Sequence, residues 1–352
     1  MVRYQISKEE SRRLDLLRGI CIVMVVYIHS FAVINDMTLP GSAFSAGFQI
    51  LFSQVLCRSA VPMLFVISSV LLFRKEFAWW ENVKKKFQSL MIPYLIVQTL
   101  WIVFYAVAQR IPALSGFFAS PENQVGLWDL YGWVNGYLGL DGEPLVYALW
   151  YLRDLFVLNL IAPALKWLID RVPKLTFLCL SLLWVFNVET GIFCLETQSL
   201  VFFSLGYYVV KYQIRMDLLN KLALWKIGIA YALFAVLDMI FGSSSVVHQI
   251  LAVVGVVFWL KTAICLSGEP IAGVLHQIAE YSFMIYLFHE PALSLLKKVG
   301  AKVFGASPWI RLGEYLVYPL VIIALCMLFS AILKKRAFVC YSILNGKRKL
   351  HQ

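Results

Sequence analysis

Arg12-Arg13-Leu14-Asp15-Leu16-Leu17-Arg18-Gly19-Ile20-Cys21-Ile22-Val23-Met24-Val25-Val26-Tyr27-Ile28-His29 opens the first long apolar run of the chain. Cations precede it, and one arginine and one histidine lie inside it. Apolar runs of roughly 20 residues, the length that crosses a ~30 Å hydrocarbon core as a helix, recur along the sequence between short polar joints. Composition agrees with this reading: 61% of the 352 residues are hydrophobic and 14% charged, with a mean hydropathy of +0.77. A soluble globule has no interior large enough to hide that much apolar surface. A transmembrane barrel would show alternating segments of about 10 residues, and the sequence has none. The expected fold is all-α, a polytopic bundle of about ten transmembrane helices near 16–35, 47–73, 88–109, 146–168, 175–193, 198–211, 224–241, 246–266, 278–296 and 313–334. It forms a single membrane domain over 1–352, with helices to about 335 and a basic tail over about 336–352.

The net charge of +11 raises the question of nucleic acid, but the cations sit mainly in the joints, where the positive-inside bias puts them. Lys84, Lys85 and Lys86, then Lys166, Arg171 and Lys174, then Lys211, Arg215 and Lys221 fall on one side together with the tail from Lys334. That side is expected to be cytoplasmic, with both termini on it. The joints 36–46 and 110–145 carry Asp36, Glu122, Asp129, Asp141 and Glu143 and face outward; the longer is the expected substrate loop. Arg3 and its basic neighbours precede a run without a convincing cleavage site, so the first helix is expected to stay. Seven cysteines, mostly inside apolar runs and without C-x-x-C spacing, indicate neither disulfides nor a metal site.

Lys297, Lys298, Lys302 and Arg311 break the charge pattern by falling outside. Either the orientation set by earlier helices overrides them, or they attract an anionic substrate.

An ionisable group inside a bilayer costs at least ~2.5–3.5 kcal/mol on insertion scales, so it must face protein or water. Arg18 and His29 are eleven positions apart, about 20° from three whole turns, and share one helix face with roughly 16 Å between them. Counting from the membrane edges puts Arg58, Arg153, Asp154, His289 and Glu290 near the depth of His29. A lone intramembrane histidine is often a packing residue, and Arg153 with Asp154 can simply neutralise itself. Packing alone, however, has no reason to gather six costly groups at one depth. They are expected to line a polar cavity near the outer face.

These strings are similar to those of the membrane-bound acyltransferase-3 family. Arg13 to Gly19 with Val25 to His29 resembles its opening signature. Ala60 to Ser69, Leu149 to Leu155 and Ser282 to His289 resemble its second-, fourth- and ninth-helix patterns, in order along the chain. The resemblance covers about Arg12 to Lys335, in the manner of a minimal member without a fused extracytoplasmic esterase domain. It implies transfer of an acetyl or other short acyl group from cytoplasmic acyl-CoA to a hydroxyl of a cell-surface or exported glycan. His29 is then the general base, and acyl-CoA a co-substrate rather than a bound cofactor; no metal is implied. Arg18, Lys84, Lys85 and Lys86 are expected to hold the donor's phosphates. Arg58 or Arg153 would stabilise the oxyanion, and Asp154 or Glu290 would orient the cation or the histidine.

On the acceptor side, Lys297, Lys298 and Lys302 are expected to bind a glycan that a polyprenyl phosphate can carry. The setting is the inner membrane of a bacterium, with membrane lipids and no nucleic acid as partners. Two departures stand out: Ser68-Ser69 where relatives have Ser-Gly, and Lys86-Phe87-Gln88-Ser89 where they have Arg-x-x-Arg, which loses bidentate phosphate recognition. A secondary transporter or a flippase of lipid-linked sugars remains the competing class, because clustered charges at mid-depth also describe ion paths.

Overall fold

The computed structural model describes residues 4–32, 37–75, 78–118, 124–191, 195–242, 246–305 and 307–347. Arg3, Asp36, Glu122 and the end of the basic tail lie outside them. The long helices are α1 (Lys8–Ser30), α2 (Ser42–Phe73), α3 (Trp79–Ala108), α4 (Trp150–Arg171), α5 (Pro173–Val185), α6 (Thr197–Lys211), α7 (Leu224–Phe241), α8 (Val246–Leu266), α9 (Ile271–Phe304) and α10 (Pro308–Arg336). Among the described residues there is no strand. The all-α expectation holds.

Six of these helices, α2, α3 and α7 to α10, are long and apolar enough to cross a membrane. The expected count of about ten is not established. α5 and α6 have 13 and 15 residues. α1 and α4 are longer, but α1 carries Arg13, Asp15 and Arg18 and α4 carries Arg153, Asp154 and Lys166, more charge than an apolar span holds.

Capping moves the first boundary well ahead of the apolar run. The Ser7 hydroxyl accepts from Glu10 N at 3.1 Å, and Ser7 N donates to the Glu10 carboxylate at 2.8 Å. This reciprocal box satisfies two end donors, and the acidic Glu9 and Glu10 suit the positive helix end. α1 therefore starts at Lys8 rather than near 16.

The chain divides into two compact units. The first comprises Met1–Phe77, Pro163–Glu189 and Thr197–Met327. In it α1 packs on α9, α6 on the second half of α2, and α7 on α8. Two glycines set how closely backbones meet. A Cβ at Gly19 would run into the carbonyl of Leu275 on α9, and one at Gly206 would lie 2.5 Å from the Cβ of Ser69. The second contact accounts for Ser69 in place of glycine, since the facing helix supplies the missing volume.

α2 is not a uniform helix. It runs as α-helix over Ser42–Gln49, widens into a π-helix over Ile50–Leu56, tightens into a 3₁₀ turn at Cys57–Ser59 and resumes as α-helix from Ala60. Pro62 follows that turn and has no N–H to give the preceding carbonyls, which places the irregularity there.

The second unit comprises Ala78–Ala162, Thr190–Glu196 and Leu328–Gln352. Its long joint is partly helical, with short helices over Pro112–Phe118 and Leu130–Leu138. Asp129 caps the latter, accepting from Gly132 N at 2.7 Å. Hydrogen bonds tie the joint to α3. Tyr94 donates its hydroxyl to the Tyr137 carbonyl, and Val146 N donates to Gln98 at 3.1 Å.

Candidate active site

The site is built on α1 and α9 of the first unit. Arg18 approaches Ser282 at 3.5 Å, His29 stacks on His289 with ring centroids 5.2 Å apart, and Lys297 reaches the end of α1. Partners rise in step along both helices, so α1 and α9 run parallel. The shared face expected for Arg18 and His29 is the face turned toward α9.

Arg18 donates to Asp15 at 3.1 Å as well as to Ser282. His29 is half-buried, whereas His289 is fully buried. His29 also feels the charges of Arg58 and Lys297. Arg58 lies in the 3₁₀ turn of α2, exposed along its length, with Nε donating to Gln54 Oε1 at 3.1 Å. An exposed guanidinium midway along an apolar span must meet water or a polar ligand.

The expected lysine joint proves to be helix. α9 continues to Phe304, and its 34 residues correspond to about 51 Å, longer than the ~30 Å core. Lys297 turns inward, its ammonium donating to the carbonyls of His29 at 2.8 Å and Phe31 at 3.3 Å. Those carbonyls close α1, where a cation is favoured by both hydrogen bonding and the helix dipole. Lys298 is more exposed. Glu290 is buried and accepts from Ser294 at 2.6 Å. Arg311 leaves the expected external cluster by pairing with Glu314 at 2.6 Å inside the protein.

In the second unit Arg153 and Asp154 form a buried pair at 3.1 Å. Arg153 Nη1 donates to the carbonyls of Leu138, Gly139 and Gly142 at 2.8–2.9 Å, and Asp154 Oδ2 accepts from Glu196 N at 3.2 Å. The arginine thereby fastens the joint that follows the Leu130–Leu138 helix. On α3, Lys84 lies over the Trp80 ring at 5.5 Å and Lys85 faces Glu81 at 3.7 Å.

Several contacts have no sequence signal. Ser282 beneath Arg18 is one. Ser53 is another: its hydroxyl meets the Tyr27 carbonyl at 2.7 Å and the Tyr315 hydroxyl at 3.0 Å, holding α1 and α10 to α2. A serine in an apolar run carries no mark of its partner. The link from Lys166 to Asp170 at 2.5 Å could have been found, because spacing by four places charges side by side on a helix. Among the described residues no group of His, Cys, Asp and Glu is arranged to hold a metal ion.

Apolar helices that carry a half-buried histidine against a fully buried one, with an arginine on the same face of α1, define a membrane protein with a polar site in its helical body. The chain belongs to the acyltransferase-3 family, whose profile, described as an acyltransferase domain, matches residues 11–331. It is also 28% identical over 220 residues to the succinoglycan biosynthesis protein ExoH of Rhizobium meliloti (strain 1021), covering 60% of this chain and 57% of that protein. The alignment thus spans little more than half of that relative. No solved structure matches the chain.

Proposed function

We propose that this acyltransferase moves an acetyl or other short acyl group from acyl-CoA to a hydroxyl of a polysaccharide made for the cell surface or for export. The observation that carries the reading is the His29 and His289 pair, with Arg18 on the same face of α1. Membership of the family and the relative named for succinoglycan biosynthesis supply the acyl group and the carbohydrate.

In this reading His29 takes the proton of the attacking sugar hydroxyl, as a neutral imidazole can. Arg58 stabilises the oxyanion that forms on the thioester carbonyl. Arg18 binds a phosphate of the donor by charge-assisted hydrogen bonds. Lys298 and Lys302 attract an anionic acceptor, while Lys297 holds the end of α1. The setting is the inner membrane of a bacterium, with both termini in the cytoplasm.

The test compares ester-linked acyl groups on surface polysaccharide from cells carrying no copy, the wild type or His29→Ala, with protein levels matched. The wild type is expected to add acyl mass and His29→Ala to add none. Equal acylation by His29→Ala removes the histidine from the mechanism, and uptake of sugar without covalent change replaces the enzyme with a carrier.

A further inference from the structure

His289 has no part in the reaction as described, yet its ring lies beside that of the proposed base. Its Nδ1 lies 2.8 Å from the carbonyl oxygen of Tyr286 and 3.1 Å from that of Ile285. A carbonyl oxygen only accepts, so Nδ1 carries the hydrogen. Neutral His289 is therefore held in the tautomer whose Nε2 presents a bare lone pair. That Nε2 is buried and has no hydrogen-bond partner. A buried acceptor left unsatisfied costs stability; His276 has a bare Nε2 of the same kind, and what sets His289 apart is the histidine ring beside it.

The half-buried ring of His29 lies beside the ring of His289, at 5.2 Å between centroids and tilted by 48°.

We infer that His289 accepts, through His29, the proton released by the attacking hydroxyl, an inference that rests on His29 being the base. As the sugar oxygen bonds to the thioester carbon, its proton moves to one nitrogen of His29. The proton on the other nitrogen of His29 passes to Nε2 of His289. His29 ends neutral in the opposite tautomer, and His289 carries the charge. When the tetrahedral intermediate collapses, the C–S bond breaks and the thiolate takes a proton from His29, which recovers one from His289. Ester and free thiol leave, and both rings return to their starting state. Nε2 of His289 makes no hydrogen bond to the ring of His29, and the relay requires the two rings to close on each other as catalytic contacts commonly do during the reaction.

The experiment uses the full-length protein in lipid nanodiscs, with acetyl-CoA as donor and the deacylated surface polysaccharide of the producing cell as acceptor. Single-turnover ester formation is followed in mixtures of light and heavy water. The wild-type rate is expected to fall along a curve, as two protons in flight require. His289→Gln, which keeps a polar side chain but cannot relay a proton, is expected to lower kcat by roughly 10²-fold, with KM for acetyl-CoA and the melting temperature unchanged and the plot linear. A linear wild-type plot overturns the relay, and so does a slow His289→Gln whose plot stays curved, because a packing role does not change the number of protons in flight. Should His289→Gln fail to fold, the wild-type plot still decides. A wild type that neither forms ester nor releases thiol overturns acyl transfer itself and the relay with it, whereas ester formation with a linear plot removes only the relay.

Discussion

Arg18 holds two oxygens at once, the Asp15 carboxylate at 3.1 Å and the Ser282 hydroxyl at 3.5 Å, each from a different arm of its planar fork. Arg18→Ala is expected to raise KM for acyl-CoA more than it lowers kcat, and Arg18→Lys to recover part of the loss. Steady-state kinetics with varied donor checks this, and an effect confined to the glycan would exchange the donor and acceptor assignments. Lys297 calls for a different outcome. Because its ammonium closes α1 at His29 and Phe31, Lys297→Met should cost about 1.5–3 kcal/mol of stability at most, read as a lower melting temperature. Lys298→Gln with Lys302→Gln should leave stability alone and weaken use of the acceptor. Sequence grouped these lysines by their position after an apolar run. What separates them is the helix that carries them on, which turns one inward and leaves its neighbour exposed.

At the scale of elements, the approach of α1 to α9 limits what Gly19 can become. Gly19→Ala puts a methyl group against the Leu275 carbonyl, and overpacking of this kind costs about 1–3 kcal/mol. The variant is expected to melt lower and to lose turnover, since the same shift parts His29 from His289; unchanged melting and turnover would show that the two backbones tolerate separation. The bundle of apolar helices was legible from run length and flanking charge. The interior of α2 was not. Pro62 withholds a donor from the carbonyl of Arg58, in the 3₁₀ turn, and the π-helix over Ile50–Leu56 precedes it; hydropathy is blind to both.

For the whole molecule, the distribution of cations predicts which ends face the cytoplasm. Single cysteines introduced at Asp141, Lys85 and Lys221, all exposed positions, and treated from outside intact cells with an impermeant thiol reagent are expected to label at Asp141 and not at the lysines. Labelling at Lys85 would invert the orientation and place Arg18 on the wrong side for a cytoplasmic donor. The sequence by itself determined that the chain is helical and apolar, which family it joins, and that Arg18 and His29 share a face, because each follows from composition, string or helical period. Depth counting could set Arg58, Arg153, Asp154, His289 and Glu290 at one level, but depth is a single coordinate and does not say which groups meet. Tertiary structure paired His29 with His289, gave Arg153 to the carbonyls of a loop in the other compact unit, and turned Lys297 onto the end of α1. The physical reason is that a hydrogen bond requires a direction as well as a distance, and direction is fixed only when helices far apart in sequence pack against one another.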